Sequence, residues 1–102
     1  MALIKSIKGD FYRIYKYDLA SRGHIGAIGI DLPLAAKLLS VKMQNDRITL
    51  WAIVDPDIGT ETRRFWVLGT GWEIPKEVAL EPLDTVIDPL GYVWHIFVEA
   101  KY

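Results

Sequence analysis

The sequence predicts an all-β protein: an antiparallel meander of about six strands, closed into a small barrel or sandwich and assembled as an oligomer. Three observations predict it. Apolar residues recur with a period of two in nearly every apolar segment. Turn residues separate those segments. Several segments are apolar on both faces, so both faces need cover, from a second sheet or from another subunit. The 102 residues suit one domain, residues 1–102, with room for a single core.

Residues 11–17 (F-Y-R-I-Y-K-Y) are aromatic-rich and β-prone, which makes them a first strand. Residues 23–33 follow with Gly23, Gly26 and Gly29, the mark of an edge strand or of one packed close to another backbone. Pro33 and the alternation after it favour a turn, not a helix, over residues 34–39.

The clearest hairpin pairs residues 37–44 with residues 47–54 around Asn45-Asp46. With those two as the turn, Met43 faces Ile48, Val41 faces Leu50 and Leu39 faces Ala52, all apolar and on one face. Asn-Asp is a weaker type I′ turn than Asn-Gly, because Asp accepts positive φ less readily than Gly. The opposite face carries Lys42, Thr49, Ser40, Trp51, Leu38 and Ile53, polar near the turn and apolar away from it.

A strand over residues 62–68 sets Phe65 and Val67 against Arg64, Trp66 and Leu68. Residues 72–79 read as a loop with one helical turn. Residues 80–87 form an edge strand interrupted by Pro82, and residues 88–91 (D-P-L-G) form a turn. The final strand, residues 92–98, sets Val93, His95 and Phe97 against Tyr92, Trp94, Ile96 and Val98.

Composition narrows the function classes. With 12 basic and 13 acidic residues the net charge is −1, so no global field draws in DNA, RNA or an anionic membrane. The absence of cysteine removes disulfides, thiolate nucleophiles and Cys-ligated metals. No apolar run has the roughly 18 residues of a membrane span, and residues 1–8 are too short an apolar stretch for a signal peptide. The expectation is a soluble protein of the cytoplasm.

No catalytic constellation is complete, so the chain reads as a non-enzyme with no cofactor and no metal. Asp55, Asp57 and Glu61 flank Pro56 and Gly59, where Asp usually caps a turn. His24 and His95 lie in no metal-ligand spacing. His95, mid-strand, reads as a half-buried histidine bonded to a neighbouring side chain. A hydrolase would need His24, His95 and Asp55 or Asp57 to converge.

The best candidate ligand site lies at the end of the strand over residues 62–68. It comprises Arg63, Arg64, Trp66, Gly69, Thr70, Gly71 and Trp72. A guanidinium beside indole rings and closely approached backbone N–H groups offers a fork for a phosphate and a stacking face for a base. Adjacent strand residues point to opposite faces, so only one of the two arginines joins Trp66. The competing reading is an arginine paired with Glu61 or Asp57, and a Gly-Thr-Gly that is a tight turn.

Four segments taken together carry a resemblance: L-P-x-x-A-x-x-L-x-V-x-x-Q-N (residues 32–45), L-W-A-x-V-D-P (50–56), T-E-T-R-R-F-x-V-x-G-T-G (60–71) and V-W-H-x-F (93–97). In that order the set resembles a family of small proteins found in bacteriophages and prophages, over roughly residues 11–98. The family carries no assigned activity. The resemblance implies a phage accessory protein in the cytoplasm of a host bacterium. Such a protein would act against host defence, either by sequestering an anionic nucleotide signal or by binding a host defence protein. The other expectation is a structural or assembly component that makes protein contacts only. Its partners would be copies of itself, and neither a membrane nor nucleic acid in general.

Overall fold

The structure, a computed structural model, describes residues 11–101. The signal-peptide reading of residues 1–8 falls outside the described residues. Seven strands, all paired antiparallel, form two sheets: β1 (Arg13–Ala20), β2 (His24–Pro33), β3 (Lys37–Gln44), β4 (Arg47–Val54), β5 (Thr60–Gly69), β6 (Leu80–Ile87) and β7 (Val93–Glu99). One sheet has the order β1-β4-β3, the other β2-β5-β7-β6. The all-β fold is the one the alternation predicts, and the two packed sheets make it a sandwich.

The connectivity adds what alternation alone does not carry. Only β3–β4 and β6–β7 are hairpins between consecutive strands; β1 pairs with β4 and β2 with β5. The chain therefore changes sheet between β1 and β2, between β2 and β3, and again between β4 and β5. Among the described residues there is no helix, and so none long and apolar enough to cross a membrane.

Period-2 alternation delivers the core directly. Val41, Ile48, Leu50, Ala52 and Val54 from one sheet meet Leu32, Phe65, Val67, Trp94, Ile96 and Val98 from the other, all buried. Burying a side chain of this size contributes roughly 1.5–3 kcal/mol each, which is why the core residues fix both sheet faces and their register. The sheets are joined along one seam by Lys42 Nζ to Asp84 Oδ2, 3.3 Å, between the edge strands β3 and β6. Its lysine is largely solvated and its carboxylate partly so, and the pair contributes about 0–1 kcal/mol.

The β3–β4 hairpin turns on Asn45 and Asp46, whose φ angles of 50° and 62° are those of a two-residue type I′ turn. Met43 faces Ile48 and Val41 faces Leu50, as the pattern predicts. The third expected pair, Leu39 with Ala52, does not form. A bulge between Leu38 and Ser40 places Leu38 opposite Ala52 and leaves Leu39 45 % exposed. One extra residue reverses every face beyond it, and Leu38 is as apolar as Leu39, so hydrophobicity could not mark the slip. Over residues 34–36 the chain makes a turn, with Ala36 N–H donating to Pro33 O at 3.2 Å. The segment over residues 72–79 contains turns and no helix.

Asp46 occupies a left-handed conformation that glycine adopts without strain. Asp46→Gly should therefore stabilise the hairpin by about 0.5–1 kcal/mol, a rise of roughly 2–8 °C in Tm. A lower Tm in thermal unfolding would argue against the type I′ geometry.

Candidate binding site at the loop end

Four connections gather at one end of the sandwich: the β1–β2 turn (residues 21–23), the β3–β4 turn (45–46), the first residues after β5 (70–72) and the β6–β7 loop (88–92). The β6–β7 loop is organised by one carboxylate. Asp88 Oδ1 accepts from the N–H groups of Leu90 and Tyr92, each at 2.9 Å, and Oδ2 accepts from the Trp94 indole Nε1–H at 3.0 Å. Backbone bonds from Asp88 N to Tyr92 O and from Gly91 N to Asp88 O, both 2.9 Å, close the loop. This is the Asx-turn chemistry that Asp-Pro-x-Gly favours, with Gly91 supplying the positive φ of 89°.

Fixing the loop this way turns its apolar side chains outward. Leu90 is 82 % exposed and Tyr92 61 % exposed. Behind them the Trp94 ring packs edge-on to Trp72 (centroids 5.7 Å apart, 74° between planes) and tilted to Tyr92 (6.2 Å, 42°). Of these rings Tyr92 and Trp94, together with Ser21, Arg22, Asp46 and Asp88, line a half-open concavity of about 510 Å³. Among the described residues Arg22 has no ion-pair partner, so its charge is available to whatever enters.

Glycine makes the aromatic packing possible. A Cβ on Gly23 would run into the Trp94 ring, and one on Gly69 would lie 2.7 Å from Trp72 Nε1. Gly69, Thr70 and Gly71 form a tight turn in which Trp72 N donates to Gly69 O at 3.1 Å, with φ of 87° at Gly71 as a type II turn requires. The Gly-Thr-Gly is thus a turn whose glycine face the Trp72 indole covers.

The other sequence-predicted residues divide between locations. Arg63 lies on the side of β5 that carries Phe65 and Val67, opposite Ile30 of β2, and its buried Nε has no hydrogen-bond partner. Arg64 and Trp66 share the outer face, and both are bound by one oxygen: Glu99 Oε2 accepts from Arg64 Nε at 3.1 Å and from Trp66 Nε1 at 2.7 Å. The carboxylate sits where an anionic ligand would sit. The Thr70 hydroxyl bonds His95 Nε2 at 2.7 Å, while His95 Nδ1 bonds Thr85 Oγ1 at 3.0 Å. His95 is therefore the strand histidine with side-chain partners that the sequence suggests. Of the predicted set, only Trp72 reaches the loop-end aromatic group.

At the opposite end Asp55 caps its own turn, accepting from Asp57 N at 3.1 Å. Among the described residues no three His, Asp or Glu side chains are grouped as metal ligands would be. Sequence reasoning passed over Arg22, Leu90, Tyr92 and Trp94. The one available signal was an Asp-Pro-Leu-Gly turn that spends a leucine where a polar residue would serve.

Three carboxylates titrate low. Glu61 is held below its usual range by the hydrogen bond from Lys101, against opposing desolvation. Glu99 is lowered first by the Trp66 indole. At Asp88 desolvation acts upward, but the bonds from Trp94, Tyr92, Leu90 and Gly91 outweigh it and the net shift is down.

Two predictions follow from this geometry. Gly69→Ala should destabilise the protein by about 1–3 kcal/mol through overpacking, and far less when Trp72→Ala removes the obstructing ring. Chemical denaturation of the two single variants and the double variant measures that coupling; equal costs in both backgrounds would contradict it. The three depressed carboxylates bind protons more readily in the unfolded chain, so the stability they contribute is present above about pH 4.5 and lost as pH falls through their folded values. Asp88→Asn should flatten the acid limb of stability against pH, read from Tm between about pH 5 and 3.

Residues 12–102 match the profile of the family described as a domain of unknown function (DUF7352), and the chain belongs to that family. No curated protein and no solved structure matches it.

Proposed function

We propose that this protein is a non-enzymatic accessory binding protein of phage type, acting against host defence by docking its loop end onto a host protein. One observation carries the reading: Leu90 and Tyr92 project into solvent from a loop whose backbone Asp88 holds in place. A fixed loop that leaves a Leu and a Tyr exposed forgoes burial worth roughly 1.5–3 kcal/mol per side chain. A partner that covers them recovers it without first ordering the loop. Tyr and Arg are among the residues that dominate protein interfaces, and Tyr92 and Arg22 flank the same concavity.

A protein partner is favoured over a nucleotide by what surrounds β5. Glu99 already occupies the space between the Arg64 guanidinium and the Trp66 indole. Gly69 is covered by Trp72. The phage setting is supported by the ordered resemblance over residues 32–97 alone.

The test is affinity purification from host cells with the wild-type chain and with a Leu90→Ala/Tyr92→Ala variant, read by quantitative mass spectrometry. One host protein should be retained by the wild type and at least tenfold less by the variant, since losing central contacts costs about 2 kcal/mol or more. Circular dichroism confirms that the variant is folded. Equal retention by both would refute the loop-end site, and retention of phage structural proteins alone would favour an assembly component.

A further inference from the structure

Among the described residues the two open sheets have four edge strands, β1 and β3 in one sheet and β2 and β6 in the other. Proteins guard such edges with proline, bulges, charged side chains or cover, because a bare edge is a template for another strand; of these β1 has only the charges of Arg13, Lys16 and Asp18. The other three edges are guarded further. β6 carries Pro82 and a bulge between Pro82 and Asp84. β2 carries a register shift between His24 and Ile28 and ends in Pro33. β3 has its bulge between Leu38 and Ser40 and is joined to β6 through Lys42 and Asp84.

β1 is different. Its pairing with β4 is regular from Arg13 to Asp18, with the shift only beyond Asp18, and that run contains neither proline nor glycine. Among the described residues it is open to solvent: Ile14 is 65 % exposed on the face it shares with Lys16 and Asp18, and Tyr15 38 % on the face it shares with Arg13 and Tyr17. Tyr15 and Tyr17 form an edge-on pair with centroids 6.5 Å apart.

We propose that β1 is a pairing edge between two copies of this chain, antiparallel about a two-fold axis that sets Tyr15 against its own counterpart. The register follows from symmetry and charge. A two-fold axis normal to the sheet keeps every side chain on its own face, so the axis must pass through a residue pair of one kind. Through Lys16 it would oppose Lys16 to its own copy and Ile14 to Asp18, which like-charge repulsion disfavours. Through Ile14 or Tyr17 it would leave a shorter ladder within the regular run. Through Tyr15 it sets Arg13 against Tyr17 of the second copy, a cation against an aromatic face, and Ile14 against the apolar stem of Lys16. The two β1-β4-β3 sheets become one continuous sheet, and the two loop ends point in opposite directions, both open.

Sedimentation velocity of the full chain, from low to high micromolar concentration, tests this. The wild type should sediment as a dimer. Tyr15→Lys and Tyr15→Glu should each be monomeric, because each sets like charges on the axis, while their equimolar mixture should form a one-to-one heterodimer. Ile14→Lys and Ile14→Glu, at a solvent-facing position, test the same register should position 15 not tolerate charge. Lys16 of the second copy repels the first and attracts the second, so the Glu variant should dimerise about tenfold more tightly. A monomeric wild type, dimers from each Tyr15 variant alone, a mixture that stays monomeric, or equal dimerisation of the two Ile14 variants would each overturn the proposal.

Discussion

The loop end depends on the indole of Trp94. Its ring closes one end of the core between the sheets, and its single N–H reaches Asp88. That one bond couples packing to loop shape. The same carboxylate that takes the indole proton donor also fixes the backbone at Leu90 and Tyr92. Trp72 and Tyr92 then lie against the ring, and Gly23 is required beside it because no Cβ fits there. A buried aromatic with a polar handle needs a partner for that handle. Here the partner is the residue that builds the exposed surface, so the most buried and the most exposed parts of this end share one hydrogen-bond network.

The outer face of the four-stranded sheet shows a similar economy. Trp66 and Leu68 are buried yet stand outside the core cluster, on the side of β5 facing away from the second sheet. Glu99 gathers the Trp66 indole and Arg64 on that face, and His95 ties Thr70 to Thr85 across three neighbouring segments. These contacts satisfy the polar groups of a face too apolar to be left open.

Much of the fold was legible because alternation is local. The opposition of Phe65 and Val67 to Trp66 and Leu68, the parity of the last strand, and two of the three hairpin pairs all follow from side chains pointing alternately. Pairing partners within each sheet were not legible where they are distant in sequence, since β1–β4 and β2–β5 join segments that share no turn. The Leu39 bulge was hidden by two adjacent leucines. The site was the least readable part. Arg22, Asp46, Asp88 and Tyr92 belong to three separate turns that only tertiary packing brings together. The arginine pair, conspicuous in sequence, divides: Arg64 is paired with Glu99 on the outer face, and Arg63 lies on the core side of β5.

The order in which strands find partners also bears on synthesis. β1 ends at residue 20 and waits for β4, which starts at residue 47; β2 ends at residue 33 and waits for β5, which starts at residue 60. At about 5–20 residues per second on the ribosome, each waits for seconds with its apolar face bare. β1 thus stays unpaired while residues 21–46 are made, and β2 while residues 34–59 are made. In both cases an aromatic or glycine-rich strand is held without its neighbour across a gap of 26 residues, so non-local pairing, not a local turn, sets when each sheet can form.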